Sequence, residues 1–330
     1  MGEQHAASGK TFIHHDGALG DLLLSLPCIG AIRAGAGHVH LAGRPDAARL
    51  LKEAGYADEV SSADSALYSP LYAGVADEKA RGFLARFDRA FLFTVRGDSL
   101  LAASLGELVP RTRTIITVPP PGVRTHVAEF RFGQMAEGGG GECPCPVLKA
   151  PPASRERAEA LLAGAGYDGR ATRLIALHPG SGGRGKCWPL ESFCALAERL
   201  HREQDVFILF LAGPAEDAEQ KEGIRRFVGG AGRSLFVAAE ELPVVAALLS
   251  LSALFIGNDS GIAHLAAATG RACLSLFGAT DPLLWRPLGR RIRVVDAGYP
   301  RASLSSLSVD EVYAQAAAVL AHEKGIHNSA

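Results

Sequence analysis

The sequence lacks the features that mark membrane, secreted and nucleic-acid-binding proteins. No stretch of its 330 residues reaches the roughly 18–20 apolar residues that a transmembrane helix needs. The first ten residues have neither the basic segment nor the apolar run of a signal peptide. The 34 basic and 35 acidic residues give a formal net charge of -1, unlike a strongly cationic nucleic-acid binder. We therefore expect a cytoplasmic protein that binds no nucleic acid.

Cysteines are few and show no spacing typical of a metal site. Of the six, Cys143 and Cys145 are closer together than the pair of a zinc knuckle, and no matching pair follows. We expect reduced, mostly buried thiols and no bound metal. Hydrophobic residues make up 48% of the chain, enough for two cores without a disulfide or a metal ion.

Short apolar runs alternate with segments of helical spacing along both halves of the chain. This alternation predicts an α/β fold, with parallel sheets covered by helices on both faces. The predicted strands are residues 11–15, 39–42, 90–95, 112–118, 174–178, 206–211, 234–237, 253–257 and 273–277. The predicted helices are residues 22–34, 46–54, 99–108, 126–136, 191–201, 216–228, 243–249 and 262–268.

A Gly/Pro-rich stretch separates the two halves. Four glycines occupy 138–141, and four prolines follow between 144 and 152. We place the domain boundary here, with a first domain over 1–150 and a second over 151–307. Two such domains facing each other would hold a ligand between the carboxyl ends of their strands.

The last segment, 308–330, is predicted to be an amphipathic helix. It begins at about Val309, and Ser308 and Glu311 have the spacing of a capping box.

The first candidate site follows the first predicted strand, in the segment His-His-Asp-Gly-Ala-Leu-Gly-Asp at 14–21. Gly17 and Gly20 permit a tight turn before Asp21, which stands where the next helix should begin. In one interpretation Asp21 only caps that helix. In the other, its exposed carboxylate takes a proton from a hydroxyl nucleophile. The segment by itself favours the cap.

The second candidate site is the segment His-Pro-Gly-Ser-Gly-Gly-Arg-Gly-Lys-Cys-Trp-Pro at 178–189. Its glycines would let backbone N–H groups approach a phosphate, and Lys186 adds a mobile positive charge. The spacing from Gly180 to Lys186 nearly matches a P-loop, which makes an ATPase or kinase an alternative. However, Cys187 replaces the magnesium-binding Ser or Thr, and Pro189 would interrupt the helix that a P-loop begins. Phosphate binding is the better prediction, and a plain glycine-rich loop is the simpler alternative.

The third candidate site is the segment Asn-Asp-Ser-Gly-Ile-Ala-His at 258–264, between an apolar strand and an apolar helix. Asp259 or Ser260 would cap that helix, and His264 could be a buried structural histidine. Yet the unpaired N–H groups and positive dipole end of the helix would also suit a diphosphate. Gly261 would allow close approach of the backbone.

Further polar residues follow other predicted strands. Glu216 could bond a ribose hydroxyl, or it could be an ordinary glutamate in the first turn of a helix. Arg96 and Asp98 follow a strand of the first domain and could face an acceptor. Four further arginines lie in the last third of this domain; most such charges simply solvate a surface, but some could meet an anionic acceptor. They are Arg111, Arg113, Arg124 and Arg131.

Taken in order, these motifs resemble glycosyltransferase family 9, the lipopolysaccharide heptosyltransferases. The similar segments are 20–24 with Pro27, 87–101, 178–181 leading to Lys-x-Trp-Pro at 186–189, 258–261 with His264, and 276–282. The resemblance implies an α/β fold of the GT-B type, with two Rossmann-like doubly wound domains facing a central cleft. It also implies that the last helix packs back toward the first domain.

The resemblance further implies an inverting transfer of a sugar, heptose from ADP-heptose, to a lipopolysaccharide-core or related glycan, without metal or cofactor. Asp21 would be the catalytic base. A glycolipid acceptor would require transient contact with the inner face of the cytoplasmic membrane. The donor would be held by Ser181 and Lys186 at the diphosphate, by Glu216 at the ribose, and by Asp259, Ser260, Gly261 and His264 at the diphosphate and sugar.

Two alternatives keep the same fold. A non-catalytic nucleotide-sugar-binding protein would bind the donor without turnover, although such a protein has no need of a base at Asp21. A family member with another donor would use a different NDP-sugar. The glycine-rich composition of residues 182–185 departs from better-matched members, so contacts of this loop could differ.

Overall fold

The computed structural model describes residues 9–135, 141–145, 147–169, 172–183, 187–214, 216–300 and 303–327, with side chains of the last helix described to Ala321. The chain divides into two compact units, Met1–Pro146 and Val147–Ala330. The predicted boundary after residue 150 lies a few residues beyond this division. No described helix is long and apolar enough to cross a membrane.

The first unit is built on a parallel sheet whose strand order is β3-β2-β1-β4-β5. Its strands are β1 (Lys10–His15), β2 (His38–Gly43), β3 (Glu59–Ser62), β4 (Arg89–Thr94) and β5 (Thr112–Ile116). Its described helices are α1 (Leu19–Leu24), α2 (Leu26–Ala34), α3 (Pro45–Glu53), α4 (Ser69–Tyr72), α5 (Glu78–Leu84), α6 (Leu100–Leu108) and α7 (Val127–Gly133). One face of the sheet packs on a core around Phe12, Leu92 and Leu105, all fully buried.

The second unit repeats this design with a parallel sheet ordered β11-β10-β9-β6-β7-β8. Its strands are β6 (Arg173–His178), β7 (Val206–Ala212), β8 (Ser234–Ala238), β9 (Leu254–Asn258), β10 (Ala272–Phe277) and β11 (Ile292–Asp296). Its described helices are α8 (Pro152–Gly164), α9 (Leu190–Glu203), α10 (Ala218–Ala231), α11 (Leu242–Leu251), α12 (Gly261–Ala268), α13 (Pro282–Trp285) and α14 (Val309–His327), with a 3-10 turn at Leu304–Ser306.

The last helix buries its apolar side in the second unit. Val312, Ala316 and Leu320 are part of the core that also holds β9 and β10. The hydroxyl of Ser308 accepts the backbone N–H of Glu311 at 3.2 Å, as expected for the first half of a capping box. The packing of this segment toward the first domain stays a prediction.

All nine predicted strands are present, and the structure adds β3 and β11 at the sheet edges. The predicted helix over 22–34 is two helices, because the chain turns at Ser25 between α1 and α2. The prediction of mostly buried thiols is only partly right. All six cysteines are free, but only Cys28 and Cys273 are buried, and the other four are partly exposed.

Candidate functional site

Each sheet has one place where the strand order changes direction, between β1 and β4 in the first unit and between β6 and β9 in the second. Loops leaving neighbouring strands diverge at such a point, and in open parallel sheets this is where ligands bind. Most of the predicted site residues follow these four strands, whereas Glu216 follows β7. Asp21 follows β1, Ser181 follows β6, and Asp259 and Ser260 follow β9.

Asp21 is the third residue of α1, whose N-cap is Ala18 without any side-chain cap. The interpretation of Asp21 as an N-cap is therefore wrong. Its side chain is 40% exposed, and its Oδ1 accepts a hydrogen bond from Nη2 of Arg131 at 3.2 Å. Among the described residues, none forms a hydrogen bond with Oδ2. The carboxylate is thus anchored by one oxygen and open at the other.

The partner of Asp21, Arg131 of α7, is fully buried. Its Nε donates to the carbonyl of Thr117 at 2.9 Å, and its Nη1 donates to the carbonyl of Asp21 and, at 2.8 Å, to the hydroxyl of Ser25. Burial lowers the pKa of Arg131, and the charge of Asp21 opposes that shift. Unlike the surface role expected of most of these arginines, the guanidinium of Arg131 is enclosed and bonded inside the unit.

The loop before α1 fixes the protonation pattern around Ser25. The backbone N–H of Gly17 donates to Nδ1 of His15 at 3.3 Å, so the ring proton lies on Nε2, 3.0 Å from Oγ of Ser25. The Ser25 hydroxyl in turn donates to the carbonyl of Asp21 at 3.2 Å. Burial, followed by the charge of Arg131, lowers the pKa of His15 to about 3, which keeps this ring neutral.

A cavity of about 350 Å³ opens at the same switch point of the first unit. Near it, Tyr72 shares a 3.2 Å hydrogen bond with Nε2 of the buried His14. Burial raises the pKa of Tyr72 to about 12. The lining residues are His14, Asp16, Tyr72, Leu92, Phe93, Thr94, Arg96, Asp98, Ser99, Leu100 and Leu101.

The two predicted acceptor-side residues lie in the wall of this cavity. Arg96 and Asp98 form an ion pair at 3.2 Å, with both side chains more than 70% exposed. This pairing lowers the pKa of Asp98 and raises that of Arg96. The structure brings them together, and their contact with an acceptor stays a prediction.

In the second unit, Asn258 ties the two loops of the switch point together. It is fully buried at the end of β9; its Nδ2 donates to the carbonyl of Pro179 at 2.7 Å, and its Oδ1 accepts the backbone N–H of Trp188 at 3.0 Å. Ser181 adds a second link, since its hydroxyl donates to the carbonyl of Asp259 at 2.8 Å. Asn258 begins the third candidate segment, and the sequence predicts no role for it; in the structure its hydrogen bonds hold the loop after β6 in place.

The start of α12 decides between the two capping candidates. Ser260 is the N-cap, and its hydroxyl accepts the backbone N–H of Ala263 at 3.4 Å. The carboxylate of Asp259 instead accepts the hydroxyl of Thr280 at 2.6 Å. His264, one turn into the helix, is 7% exposed. The helix thus presents its first N–H groups at Ser260 and Gly261, with Asp259 held to one side.

Glu216 is not in the first turn of a helix, because it precedes Asp217, the N-cap of α10. Its side chain is buried; Oε1 lies 3.2 Å from Nε2 of His178, and Oε2 accepts the backbone N–H of Gly213. Burial alone would raise the pKa of Glu216, but the bonds from His178 and Gly213 outweigh it and lower that pKa to about 2. Contact with a ribose stays a prediction, and both oxygens already have a partner within the unit.

The described residues directly before α9, 187–189, do not continue a P-loop. Lys186, predicted to bind phosphate, lies outside the described residues. Residues 187–189 are not helical, and α9 begins only at Leu190 with Pro189 as its N-cap. A P-loop would begin its helix at the lysine. Trp188 is 1% exposed, and its indole N–H donates to the carbonyl of Leu307 at 3.0 Å, so this tryptophan anchors the loop in the core.

No group of three or more His, Cys, Asp or Glu side chains within the described part of the chain is placed to hold a metal ion. That the activity needs no metal therefore stays a prediction.

Comparison with known sequences points to one family. The sequence profile of glycosyltransferase family 9 (heptosyltransferase) matches residues 145–311. Lipopolysaccharide heptosyltransferase 3 of Escherichia coli is 33% identical over 148 residues, which are 43% of this chain and 41% of that protein. The matched stretch thus spans about two fifths of this curated relative.

Solved structures of similar fold cover nearly the whole chain. A glycosyl transferase family 9 protein from Veillonella parvula has a TM-score of 0.76 at 19% identity. The match covers 95% of this chain and 97% of that protein. ADP-heptose lps heptosyltransferase II of Escherichia coli has a TM-score of 0.76 at 18% identity. The match covers 96% of this chain and 99% of that protein. At these identities the likeness shows the fold, two Rossmann-like domains of the GT-B type.

Proposed function

The chain belongs to glycosyltransferase family 9, the heptosyltransferases, and we propose that it is an inverting glycosyltransferase that transfers heptose from ADP-heptose to a lipopolysaccharide-core or related glycan. The observation that carries the proposal is the carboxylate of Asp21, anchored through Oδ1 and open at Oδ2, at the switch point of the first unit. The donor is proposed from the solved relative of the same fold that is named for ADP-heptose.

The donor diphosphate is proposed to bind at the start of α12. The first N–H groups of a helix lack intrahelical partners, and the helix dipole places partial positive charge there. Ser260 and Gly261 stand at this end, and Ser181 is held beside it by its bond to the carbonyl of Asp259. Lys186 would add a positive charge to the diphosphate. In this proposal Glu216 meets the ribose, while Asp259 and His264 complete the pocket for the diphosphate and sugar.

The charges of the reaction match these groups. Breaking the bond at the anomeric carbon leaves negative charge on the departing ADP and partial positive charge on the sugar. Lys186 and the start of α12 would stabilise the diphosphate as that charge develops. Asp21 would take the proton of the acceptor hydroxyl as its oxygen attacks the opposite face of the sugar, which inverts the configuration. The proposed reaction uses no metal ion and no cofactor.

The acceptor is proposed to bind in the first unit, at the cavity that Arg96 and Asp98 line. Its mixture of charged, hydroxyl and apolar groups suits a sugar, whose polar edges and apolar faces both need contacts. We propose a glycan or glycolipid acceptor, a cytoplasmic location, and transient contact with the inner face of the cytoplasmic membrane where the acceptor is lipid-linked. No nucleic acid partner is proposed, in keeping with the balanced charge.

The first experiment measures binding of the purified chain to ADP-heptose, GDP-mannose and UDP-glucose, with ADP, GDP and UDP alongside. Selective binding of ADP-heptose, weakened in Lys186→Ala, supports the donor. Preference for a GDP- or UDP-sugar keeps the fold but replaces the donor with another NDP-sugar. Failure to bind any of the three contradicts the donor proposal.

The second experiment tests turnover with Asp21→Asn. We expect transfer to fall by about 10²- to 10⁴-fold, the usual contribution of positioned proton transfer, with donor affinity unchanged. Asp46→Asn is the matched control, because Asp46 is an exposed aspartate in the first turn of α3. Donor binding without any transfer by the unsubstituted chain would favour the non-catalytic binding protein. An Asp21→Asn chain with full turnover would remove Asp21 from the role of base.

A further inference from the structure

Arg131 holds Asp21 at two points, by its backbone carbonyl and by its carboxylate. We infer that Arg131 is a positioning residue for the reaction, which keeps one oxygen of Asp21 fixed and directs the other to the acceptor hydroxyl. The inference rests on the proposed function, since it takes Asp21 to be the base. Although Arg131 lies 110 residues from Asp21 in the chain, α7 brings its guanidinium to the first turn of α1.

All three guanidinium nitrogens of Arg131 are used. Nε bonds the carbonyl of Thr117 just after β5, Nη1 bonds Asp21 and Ser25, and Nη2 bonds Oδ1 of Asp21. The bonds of Nε and Nη1 therefore fix the orientation of the planar guanidinium, and with it the position of the Nη2 that bonds the carboxylate. The guanidinium's rigid fork of donors bonds the backbone carbonyl of Asp21 through Nη1 and the carboxylate through Nη2, and a single ammonium group does not offer two donors in this fixed geometry.

Burial makes this contact persistent. The side chain of Arg131 is fully buried, whereas that of Asp21 is 40% exposed. A buried cation that lost its carboxylate would be left without compensation, at high free-energy cost. Among the described residues, Asp21 is the carboxylate within ion-pair distance of Arg131. The carboxylate therefore stays on this site, while Oδ2, which has no hydrogen-bond partner among the described residues, is left to receive a proton.

Ser25 completes the arrangement because its hydroxyl has a defined direction. It receives N–H groups from Nη1 of Arg131 and from the neutral His15, so its own proton is left for the carbonyl of Asp21. The short helix α1 is thus held at Asp21 by two buried side chains. Small displacements of a reacting group are costly, because a shift of about 1 Å can lower a rate about 100-fold.

The test compares Arg131→Ala and Arg131→Lys with Arg113→Ala, by steady-state kinetics against both substrates. Arg113 is the matched control, since it bonds the carbonyl of Met135 just after α7 at 2.8 Å but makes no described contact with Asp21. We expect Arg131→Ala to have a kcat about 10- to 100-fold lower than that of the unsubstituted chain. Its KM for the donor should stay within about twofold of the unsubstituted value. Arg131→Lys should retain an intermediate kcat, and Arg113→Ala should keep the unsubstituted value.

Added guanidinium ion provides a second readout that loss of folding would not give. At millimolar concentration it should restore part of kcat in Arg131→Ala by entering the space left by the side chain, and it should leave Arg113→Ala unchanged. If Arg131→Ala does not fold, Arg131→Lys and Ser25→Ala carry the test, and both should lower kcat without raising the donor KM.

Two results would overturn the inference while leaving the proposed function intact. One is a folded Arg131→Ala with unsubstituted kcat. The other is a loss of kcat that neither lysine nor guanidinium relieves and that Arg113→Ala matches. Absence of transfer by the unsubstituted chain overturns the proposed function and this inference with it, so the two failures are distinguishable.

Discussion

The carboxylate of Glu216 occupies the space that a β-carbon on Gly180 would need, with Oε1 only 1.3 Å from that position. Gly180 is required here for close approach. Any side chain would push the carboxylate away from His178 and Gly213, its two partners. The loop after β6 and the loop after β7 are thus joined through a contact that only glycine permits.

The first prediction concerns Gly180→Ala. The added methyl group would separate Glu216 from its partners and leave a buried carboxylate without compensation, so we expect a loss of about 3 kcal/mol in the free energy of unfolding of the second unit. Gly182→Ala is the control, since nothing lies within 4 Å of its β-carbon position. Urea unfolding of both variants makes the comparison. Equal stabilities for the two would show that Glu216 is not confined by Gly180.

The second prediction concerns pH. His15 has a pKa of about 3 in the folded chain against 6.5 ordinarily, chiefly because of burial. Below pH 6.5, His15 binds a proton in the unfolded chain, whereas in the folded chain it stays unprotonated until the pH approaches 3. The stability of the first unit should therefore be full above pH 6.5 and decrease as the pH falls from 6.5 toward 3, by up to about 1.4 kcal/mol per pH unit from this group.

Unfolding free energies at pH 7.5 and 5.5, measured for the unsubstituted chain and for His15→Gln, test this dependence. The substituted chain should be less stable at pH 7.5, where the bond to Ser25 is weakened, but its stability should depend less steeply on pH. Slopes that do not differ between the two chains would mean that His15 is not held neutral by its surroundings.

The third prediction concerns Trp188, which the sequence pattern placed beside a phosphate loop and the structure places in the core. Trp188→Phe keeps most of the packing on Phe193 but leaves the buried carbonyl of Leu307 without the indole N–H. We expect a loss of about 1–3 kcal/mol in the free energy of unfolding. Trp285→Phe is the control, because Trp285 is partly exposed, and its loss should be smaller. Equal losses would contradict an anchoring role for the Trp188 bond.

The strands that the sequence predicts contain apolar runs, whereas the two that it misses are partly polar. The central strands of a parallel sheet are buried on both faces and read as apolar runs; β7 and β10 are examples. The missed strands β3 and β11 lie at sheet edges, where Glu59 and Arg293 are exposed, so their patterns are partly polar. The helix α8 was missed for another reason. Its prolines suggested a linker, whereas proline at the first helical position starts a helix.

At the site, local sequence patterns predict which segments carry the polar residues, but not the contacts between residues that are distant in the chain. Asp21, Ser181 and Ser260 follow strands in loops of recognisable composition, so their neighbourhoods could be predicted. The bond between Asp21 and Arg131 depends on how α7 packs on the loop after β1, and no local pattern near either residue encodes that packing. Glu216 was expected to face a ligand; its burial follows from Gly180 and His178, which lie on a different strand end.

The fourth prediction concerns the proposed acceptor cavity. Tyr72 is 44% exposed and lines the cavity, while its hydroxyl is bonded to the buried His14. An aromatic ring of this kind provides an apolar surface for a sugar face. Tyr72→Ala should therefore raise the acceptor KM by about 5- to 10-fold, equivalent to about 1 kcal/mol, with little change in kcat or donor KM.

Tyr72→Phe separates the ring from the hydroxyl, because it keeps the apolar surface and removes only the bond to His14. We expect its acceptor KM to stay close to the unsubstituted value if stacking on the ring is the main contact. Initial rates measured at varied acceptor and saturating donor would compare the three chains. An unchanged acceptor KM in Tyr72→Ala would place the acceptor elsewhere, since a sugar in this cavity is proposed to stack on the ring that this substitution removes.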